Sequence, residues 1–147
     1  LHYVVNPFGK PVLIAEHLYP VDLASPGVVY NGLTELATLP QEGYLLSLER
    51  TFGLGGLGAK IFQVVMGNAT DISTVKFLDT ENNNYIPLKK RLILNLKELG
   101  IPLGNLEGMT LGPRLQDGSQ TLILISDNNF SNRQKNQFLL FKLDFST

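Results

Sequence analysis

The stretch "GLTELATLPQEGYLLSLE", residues 32–49, decides the fold class. Two short segments rich in aliphatic side chains flank Pro, Gln, Glu and Gly, residue types that favour a tight turn. This pattern predicts an antiparallel hairpin with its turn in "LPQEG". A second stretch, "NLEGMTLGPRLQDGSQTLILISD", residues 105–127, presents the same features in the same order. The chain therefore contains an internal repeat.

The repeat extends beyond the two hairpins. The matched positions are Glu35 with Glu107, Gly43 with Gly118 and Glu49 with Asp127, followed by "KIFQV" with "LLFKL". Each copy is preceded by one more apolar segment, "KPVLIAEHL" or "KRLILNLKEL". Short apolar runs bounded by Gly, Pro, Asn or Asp predict strands. The predicted strands span about 10–18, 34–39, 43–49, 60–66, 89–97, 107–111, 121–126 and 137–143.

A four-stranded unit that recurs after about 70 to 80 residues is typical of a β-propeller with long loops. We predict an all-β fold with about two four-stranded blades of a larger, six-bladed propeller. The blade-like units cover about 10–66 and 89–143, the connecting loop is 67–88, and residues 1–147 belong to one domain. The alternative is a two-sheet β-sandwich or small barrel of about seven strands, in which the apparent repeat arises by chance.

Composition excludes several classes of partner and chemistry. A net charge of −1 with 12 basic residues spread along the chain predicts no nucleic-acid or anionic membrane surface. Without cysteine there is no disulfide or thiolate chemistry. No apolar stretch reaches the roughly 18 residues that span a bilayer. The chain begins at Leu1, which predicts a mature product or a piece of a longer protein, with the remaining blades or self-association covering its open sheet edges.

The repeated acids form the candidate metal site. If the hairpins pair symmetrically, Glu35 faces Glu49 and Glu107 faces Asp127 at the ends of the hairpins that open on a propeller channel. Clustered carboxylates need a compensating cation, and oxygen ligands suit Ca²⁺ or Mg²⁺. The alternative is structural: each acid caps a strand end, accepts backbone hydrogen bonds, or pairs with Arg50 or Arg133.

Three further residues are candidates for substrate binding, namely Arg50, Asn128 and Asn129. Arg114 is a second cation of the type that orients an anionic group, but its position near the hairpin turn predicts that it lies on the opposite face. "GLGGLG", residues 53–58, imitates a phosphate-binding glycine pattern but joins two strands, which predicts an ordinary loop.

The stretches "GLTELATLPQEGYLLSLERTFG", "KIFQV…ATDIS" and "NLEGMTLGPRLQDGSQTLILISDNNFSNRQKNQFLLFKL" resemble the phytase-like β-propeller family described as "esterase-like activity of phytase". The resemblance covers nearly the whole chain from about Asn31. It implies a secreted or periplasmic bacterial propeller that binds calcium and acts on a phosphoester or ester. The dense acid and Lys/Arg clusters expected of a phytate-hydrolysing propeller are not visible in this segment.

Three functional hypotheses remain open from the sequence. The first is a metal-assisted hydrolase, in which calcium held by the four acids polarises a phosphoester and activates water. The second is a non-catalytic propeller that holds a structural calcium ion and binds a ligand or protein. The third is a lactonase-like enzyme on the same architecture.

Overall fold

A computed structural model of the chain describes residues 1–79 and 84–144. Residues 80–83, within the predicted connecting loop 67–88, and residues 145–147 lie outside the described residues. The described part is almost entirely β-structure in three antiparallel sheets. The strands are β1 (His2–Val4), β2 (Val12–Ala15), β3 (Val28–Thr38), β4 (Tyr44–Gly53), β5 (Gly56–Val65), β6 (Lys89–Asn95), β7 (Asn105–Arg114), β8 (Gln120–Asp127) and β9 (Phe138–Leu143).

The predicted all-β class is confirmed, and each of the eight predicted strands has a counterpart among β2–β9. The strand expected at 89–97 ends earlier, at Asn95, and a short 3₁₀ helix, Leu96–Leu99, follows. The Asn95 side chain accepts a hydrogen bond from the Lys97 backbone N–H, and Gly100 ends the helix in a left-handed conformation. The alternation of apolar residues that predicted a longer strand is thus ended by a short helix, which the Asn95 side chain caps at its start and Gly100 terminates.

Strand order within the sheets is sequential. The four-stranded sheet has the order β3-β4-β5-β6, the three-stranded sheet has the order β7-β8-β9, and β1 pairs with β2. The segment at 89–95, which precedes the second repeat in sequence, therefore hydrogen-bonds to β5 as the outer strand of the first sheet. Within residues 1–79 and 84–144 the sheets close neither a barrel nor a propeller ring, since two packed sheets are fewer than a ring requires.

The core lies between the four-stranded and three-stranded sheets. Even-numbered residues of β4 and β8, such as Leu48 and Leu124, point into this layer because side chains alternate along a strand. Burying such a leucine contributes about 1.5–3 kcal/mol. The full cluster of buried residues is Leu39, Leu46, Leu48, Ala59, Ile61, Leu96, Leu106, Met109, Leu122 and Leu124.

The opposite face of the four-stranded sheet is also covered. Ser47 and Glu49 on this face of β4 are buried, and residues 16–22, which we call the covering segment, run across them. The covering segment is fixed by backbone hydrogen bonds from Ile72 N–H to Glu16 C=O and from Leu88 N–H to Leu18 C=O, both at 2.9 Å. The first sheet is therefore packed on both sides.

Candidate functional site

The candidate residues concentrate at one end of the two sheets. Because neighbouring strands are antiparallel, one end of the sheets contains the starts of β3, β5 and β7 and the last residues of β4 and β8. This end lies opposite the hairpin turns 39–43 and 115–119. We call this end the open end. Glu49, Arg50, Glu107 and Asp127 lie towards it, as does the loop after β8 that contains the two candidate asparagines, Asn128 and Asn129.

The predicted facing of the repeated acids is wrong. Glu49 pairs with Leu33, whereas Glu35 pairs with Leu48, because the register shifts between Leu33 and Glu35. A β-bulge inserts one residue into one strand and displaces every later pairing. Glu35 instead uses Oε1 to accept a hydrogen bond from its neighbouring Leu36 N–H at 2.9 Å.

The second hairpin carries a comparable irregularity. Asp127 pairs with Asn105, and the register shift between Leu106 and Gly108 encloses Glu107. The predicted pairing of Glu107 with Asp127 across the strands is therefore also wrong. The two acids nevertheless line one cavity of about 200 Å³, together with Ile125, Ser126 and Asn136.

Glu49 is buried in a polar network beneath the covering segment. Its side chain accepts hydrogen bonds from the Tyr19 hydroxyl at 2.7 Å, from the Asp22 backbone N–H at 3.1 Å and from the Lys90 ammonium. Tyr19 also shares a 2.7 Å hydrogen bond with Ser47. Burial raises the pKa of Tyr19 well above its usual range; the Ser47 hydrogen bond opposes this shift and Glu49 adds to it.

Two lysines and two acids make up the charged part of this network. Lys90 Nζ lies 2.9 Å from Asp22 and also contacts Glu49, while Lys60 Nζ lies 2.8 Å from Asp22. Burial by itself would raise the pKa of Asp22, but the hydrogen bonds from Lys60 and Lys90 outweigh it and the pKa is lowered. We call Asp22, Glu49, Lys60 and Lys90 the charge cluster. Its formal charges cancel.

Arg50 joins the two sheets at the open end. Its Nη1 donates hydrogen bonds to Asn105 Oδ1 and to Glu107 Oε1, the latter at 2.6 Å, and its guanidinium lies 5.5 Å from the centre of the Tyr30 ring. Asn105 Nδ2 donates to the same Glu107 oxygen at 2.5 Å. The Arg50 Nε is buried without a hydrogen-bond partner among the described residues. Arg50 therefore neutralises Glu107, while its Nε–H is enclosed without an acceptor among the described residues.

The loop after β8 is held by its own polar side chains. Asp127 Oδ1 accepts from Asn129 N–H and Asn128 Oδ1 accepts from Phe130 N–H, both at 3.1 Å. Asn129 and Phe130 adopt positive φ angles of 49° and 54°. Such hydrogen bonds stabilise tight turns. The Asn129 side chain also donates to Gln134 at 3.0 Å.

The structure does not bring the four predicted metal ligands together. Among residues 1–79 and 84–144, no group of three or more His, Cys, Asp or Glu side chains is placed to hold a metal ion. Glu107 and Asp127 share a cavity, while Glu49 belongs to the charge cluster and Glu35 bonds its own strand. Arg114 lies near the hairpin turn, where it contacts Gly118 C=O at 3.5 Å, and so does not join the open end.

Sequence patterns did not predict the roles of Tyr19, Asp22, Lys60 and Lys90. One signal was available for Lys60, which lies directly opposite Glu49 in the β4–β5 pairing. The other three residues reach Glu49 from 27 to 41 positions away in sequence. Only the tertiary fold of the covering segment and the pairing of β6 bring them there.

A sequential, antiparallel all-β architecture with charged and amide side chains at one end describes the class of this protein. The family model described as "Phytase-like: Esterase-like activity of phytase" matches residues 1–130, and the chain belongs to that family. No curated protein and no solved structure matches the chain. No helix among the described residues is long and apolar enough to cross a membrane.

Proposed function

We propose that this phytase-like chain is part of an extracytoplasmic, secreted or periplasmic hydrolase that acts on a small phosphoester or ester. The observation that carries the proposal is the family match over residues 1–130. The position of Arg50 and the Asn128–Asn129 loop at the open end supports it, because guanidinium and amide groups bind and orient an anionic substrate.

The proposal includes a β-propeller fold. The sheet β3-β4-β5-β6 has the strand count and sequential order of one blade, and β7-β8-β9 has those of a blade that lacks its outer strand. Their face-to-face packing around a shared apolar core supports their assignment as neighbouring blades. Further blades, or a second copy of the chain, would then cover the exposed sheet surfaces.

Calcium is the proposed cofactor, with Glu107 and Asp127 as its ligands. Ca²⁺ takes about six to eight oxygen ligands. The shared cavity contributes two carboxylates, and one oxygen of Glu107 already accepts from Arg50. The described residues therefore fit calcium only incompletely, and additional ligands must come from outside this part of the chain.

Arg50 is the proposed substrate-orienting residue. Its Nη1 is positioned by Asn105 and Glu107, and its side chain is 18% exposed. A guanidinium held in this way is suited to a phosphate or carboxylate group. Asn128 and Asn129 are the proposed second contact, through a loop whose backbone is already fixed.

A second function, a non-catalytic binding domain, is favoured by one specific observation. Two of the four repeated acids are already neutralised by neighbouring side chains, Glu49 by Lys90 and Glu107 by Arg50. Acids paired in this way act in ordinary proteins as structural contacts between strands and sheets. In this function the open end would bind a ligand or protein without turnover.

The two functions are separated by calcium titration calorimetry on the full-length protein, with p-nitrophenyl phosphate and p-nitrophenyl acetate turnover measured in parallel. The test variant is Glu107→Gln with Asp127→Asn, and the control is Glu42→Gln in the turn at the opposite end of β3 and β4. The hydrolase proposal expects calcium binding and turnover to disappear together in the test variant only. Calcium binding without turnover in the unmodified protein would favour the binding domain. Unchanged calcium binding in the test variant would remove both acids from any metal site.

A further inference from the structure

The two histidines of this chain lie side by side. His2 is the first residue of β1 and pairs with Ala15 of β2, and His17 follows Ala15 by two residues. Side chains two residues apart on an extended chain lie on the same face, which makes the two imidazoles diagonal neighbours. Their ring centres are 6.5 Å apart, and the ring planes are tilted by 43° and so do not stack. Both residues are half-buried.

A hydrogen bond fixes the tautomer of His17. Its Nδ1 lies 3.1 Å from the Thr70 carbonyl oxygen, which can only accept, so Nδ1 carries the proton. In the neutral imidazole, Nε2 then keeps its lone pair. A histidine that binds a metal almost always donates its other ring N–H to a carboxylate or a backbone carbonyl in this way. His17 is therefore prepared to bind a metal ion through Nε2.

The backbone on both sides of this hydrogen bond is also held in place. The Glu16 N–H donates to Asp71 Oδ1, and the Ile72 N–H donates to Glu16 C=O, both at 2.9 Å. Thr70 is held by two hydrogen bonds to Ile86, from its N–H to the Ile86 carbonyl and from the Ile86 N–H to its hydroxyl oxygen, both at 2.9 Å. A ligand that is already positioned loses little conformational freedom when an ion binds.

The separation of the two rings suits one shared ion. A bond from an imidazole nitrogen to zinc is about 2.1 Å long, so two imidazoles that bind one ion have ring centres no more than about 6.4 Å apart. The observed 6.5 Å lies close to this limit, and a small rotation of the His2 side chain brings both nitrogens within reach of one ion. Imidazole suits zinc, copper and nickel, whereas calcium takes oxygen ligands.

We propose that His2 and His17 together bind one divalent transition-metal ion, for which Zn²⁺ is the probe. Within residues 1–79 and 84–144 no third His, Cys, Asp or Glu side chain is placed to complete the ligand set, so water fills the remaining positions. The ion would tie the β1–β2 hairpin to the covering segment, to which His17 belongs. This inference goes beyond the proposed hydrolase function, because the site requires neither calcium nor turnover and shares no residue with the cavity of Glu107 and Asp127.

The experiment is isothermal titration of the full-length protein with zinc chloride in the presence of saturating calcium chloride, so that calcium occupies any site built from oxygen ligands. We expect the unmodified protein to bind one more zinc ion than the variant His2→Phe with His17→Phe. Each single variant should weaken this binding at least about tenfold, because even a hydrogen-bond partner of a metal ligand contributes about 10–100-fold to affinity. Tyr3→Phe, which changes the neighbouring ring of β1, is the control and should bind zinc normally.

Thermal unfolding tests the same site without depending on the His17 variant. His2→Phe leaves the hydrogen bond between His17 and Thr70 intact. Zinc should raise the unfolding temperature of the unmodified protein and of Tyr3→Phe more than that of His2→Phe, because an ion that binds the folded state stabilises it.

Stoichiometry decides whether the two imidazoles share the ion. A shared ion is lost in either single variant. Two separate ions, of which each single variant keeps one, would overturn the proposal, as would zinc binding that is absent from the unmodified protein or unchanged in His2→Phe.

The same titration separates this inference from the hydrolase proposal. Zinc binding should survive Glu107→Gln with Asp127→Asn, whatever that variant does to calcium binding and turnover. Loss of zinc binding in that double variant would place the ion at the other cavity and overturn the present inference.

Discussion

At Glu49, a carboxylate that is 1% exposed receives hydrogen bonds from a tyrosine, a backbone N–H and a lysine. A carboxylate removed from water is tolerated only when its charge and lone pairs are satisfied. The charge cluster meets that requirement with Lys90, which also lies 4.1 Å from the centre of the Phe62 ring. The Glu49 side chain therefore holds the covering segment against the sheet.

Replacing Glu49 by alanine should destabilise the protein by about 3–5 kcal/mol, because it removes one of the two carboxylates that neutralise the buried Lys90 and leaves the Tyr19 hydroxyl and the Asp22 N–H without their acceptor. Urea unfolding monitored by circular dichroism measures the change. The exposed Glu42→Ala variant is the control and should change the free energy of unfolding by no more than about 0.5 kcal/mol. A loss below about 1 kcal/mol for Glu49→Ala would contradict the structural role of Glu49.

Asp22 should make stability depend on pH at the acidic end. Because its pKa is lower in the folded protein, its charge stabilises the fold above its unfolded pKa of about 4, and this contribution is lost as pH falls through the folded value. The urea midpoint of the unmodified protein should exceed that of Asp22→Asn at pH 7. The difference should shrink progressively below about pH 4. A difference that stays constant from pH 7 to pH 3 would contradict the ion pairing of Asp22.

At the scale of the elements, the β4–β5 hairpin approaches the start of β3 closely at Gly53. Gly53 lies against the start of β3, where an added Cβ would stand 2.1 Å from Gly27 C=O. Leu54 N–H donates to the same carbonyl at 2.8 Å. Two of the glycines that resemble a phosphate-binding pattern thus have a structural role: Gly53 allows a close backbone approach, and Gly58 leaves space for the side chains of Thr51 and Lys97.

Gly53→Ala should lower the free energy of unfolding by about 1–3 kcal/mol, because the methyl group forces the strands apart. Chemical unfolding of Gly53→Ala measures the change in the free energy of unfolding, and Gly67→Ala, which adds the same methyl group elsewhere, is the control. A methyl group added at Gly67 would have nothing within 4 Å, so this variant should stay within about 0.5 kcal/mol of the unmodified protein. Equal stability of the two variants would argue against close packing at Gly53.

At the scale of the whole molecule, the two large sheets differ in how well their faces are covered. The four-stranded sheet packs against the three-stranded sheet on one side and the covering segment on the other. The outer face of the three-stranded sheet instead presents Ile125, Phe138 and Leu140, which are 40%, 70% and 69% exposed. A contiguous apolar surface of this kind is typical of a contact with another sheet or chain.

We expect a protein with this sequence to self-associate through that face when no further blade covers it. Sedimentation velocity should show a concentration-dependent rise in mass. Phe138→Glu with Leu140→Lys should shift the distribution to monomer, because buried charges oppose the contact. As the control, Phe8→Glu with Leu54→Lys alters two residues that are also exposed but belong to other segments. Monomer at all concentrations in the unmodified protein would contradict the assigned contact.

Local pattern determined the β-class, the two hairpins and the strand positions, because alternation and turn residues act over a few neighbouring residues. It also placed Arg50, Glu107, Asp127 and the Asn128–Asn129 loop at one end of the strands. The predicted pairing of Glu35 with Glu49 is wrong, because a single inserted residue in the bulge changes which side chains face each other across the two strands.

The sequence by itself determined that this protein is built from short antiparallel strands in the order that the structure shows, with a turn-rich, weakly charged composition. Only the tertiary structure decided what the repeated acids contact. The partners of Glu49 come from the covering segment and β6, and the partner of Glu107 comes from the other sheet. Contacts between residues distant in sequence depend on how sheets and segments pack, which strand periodicity does not encode.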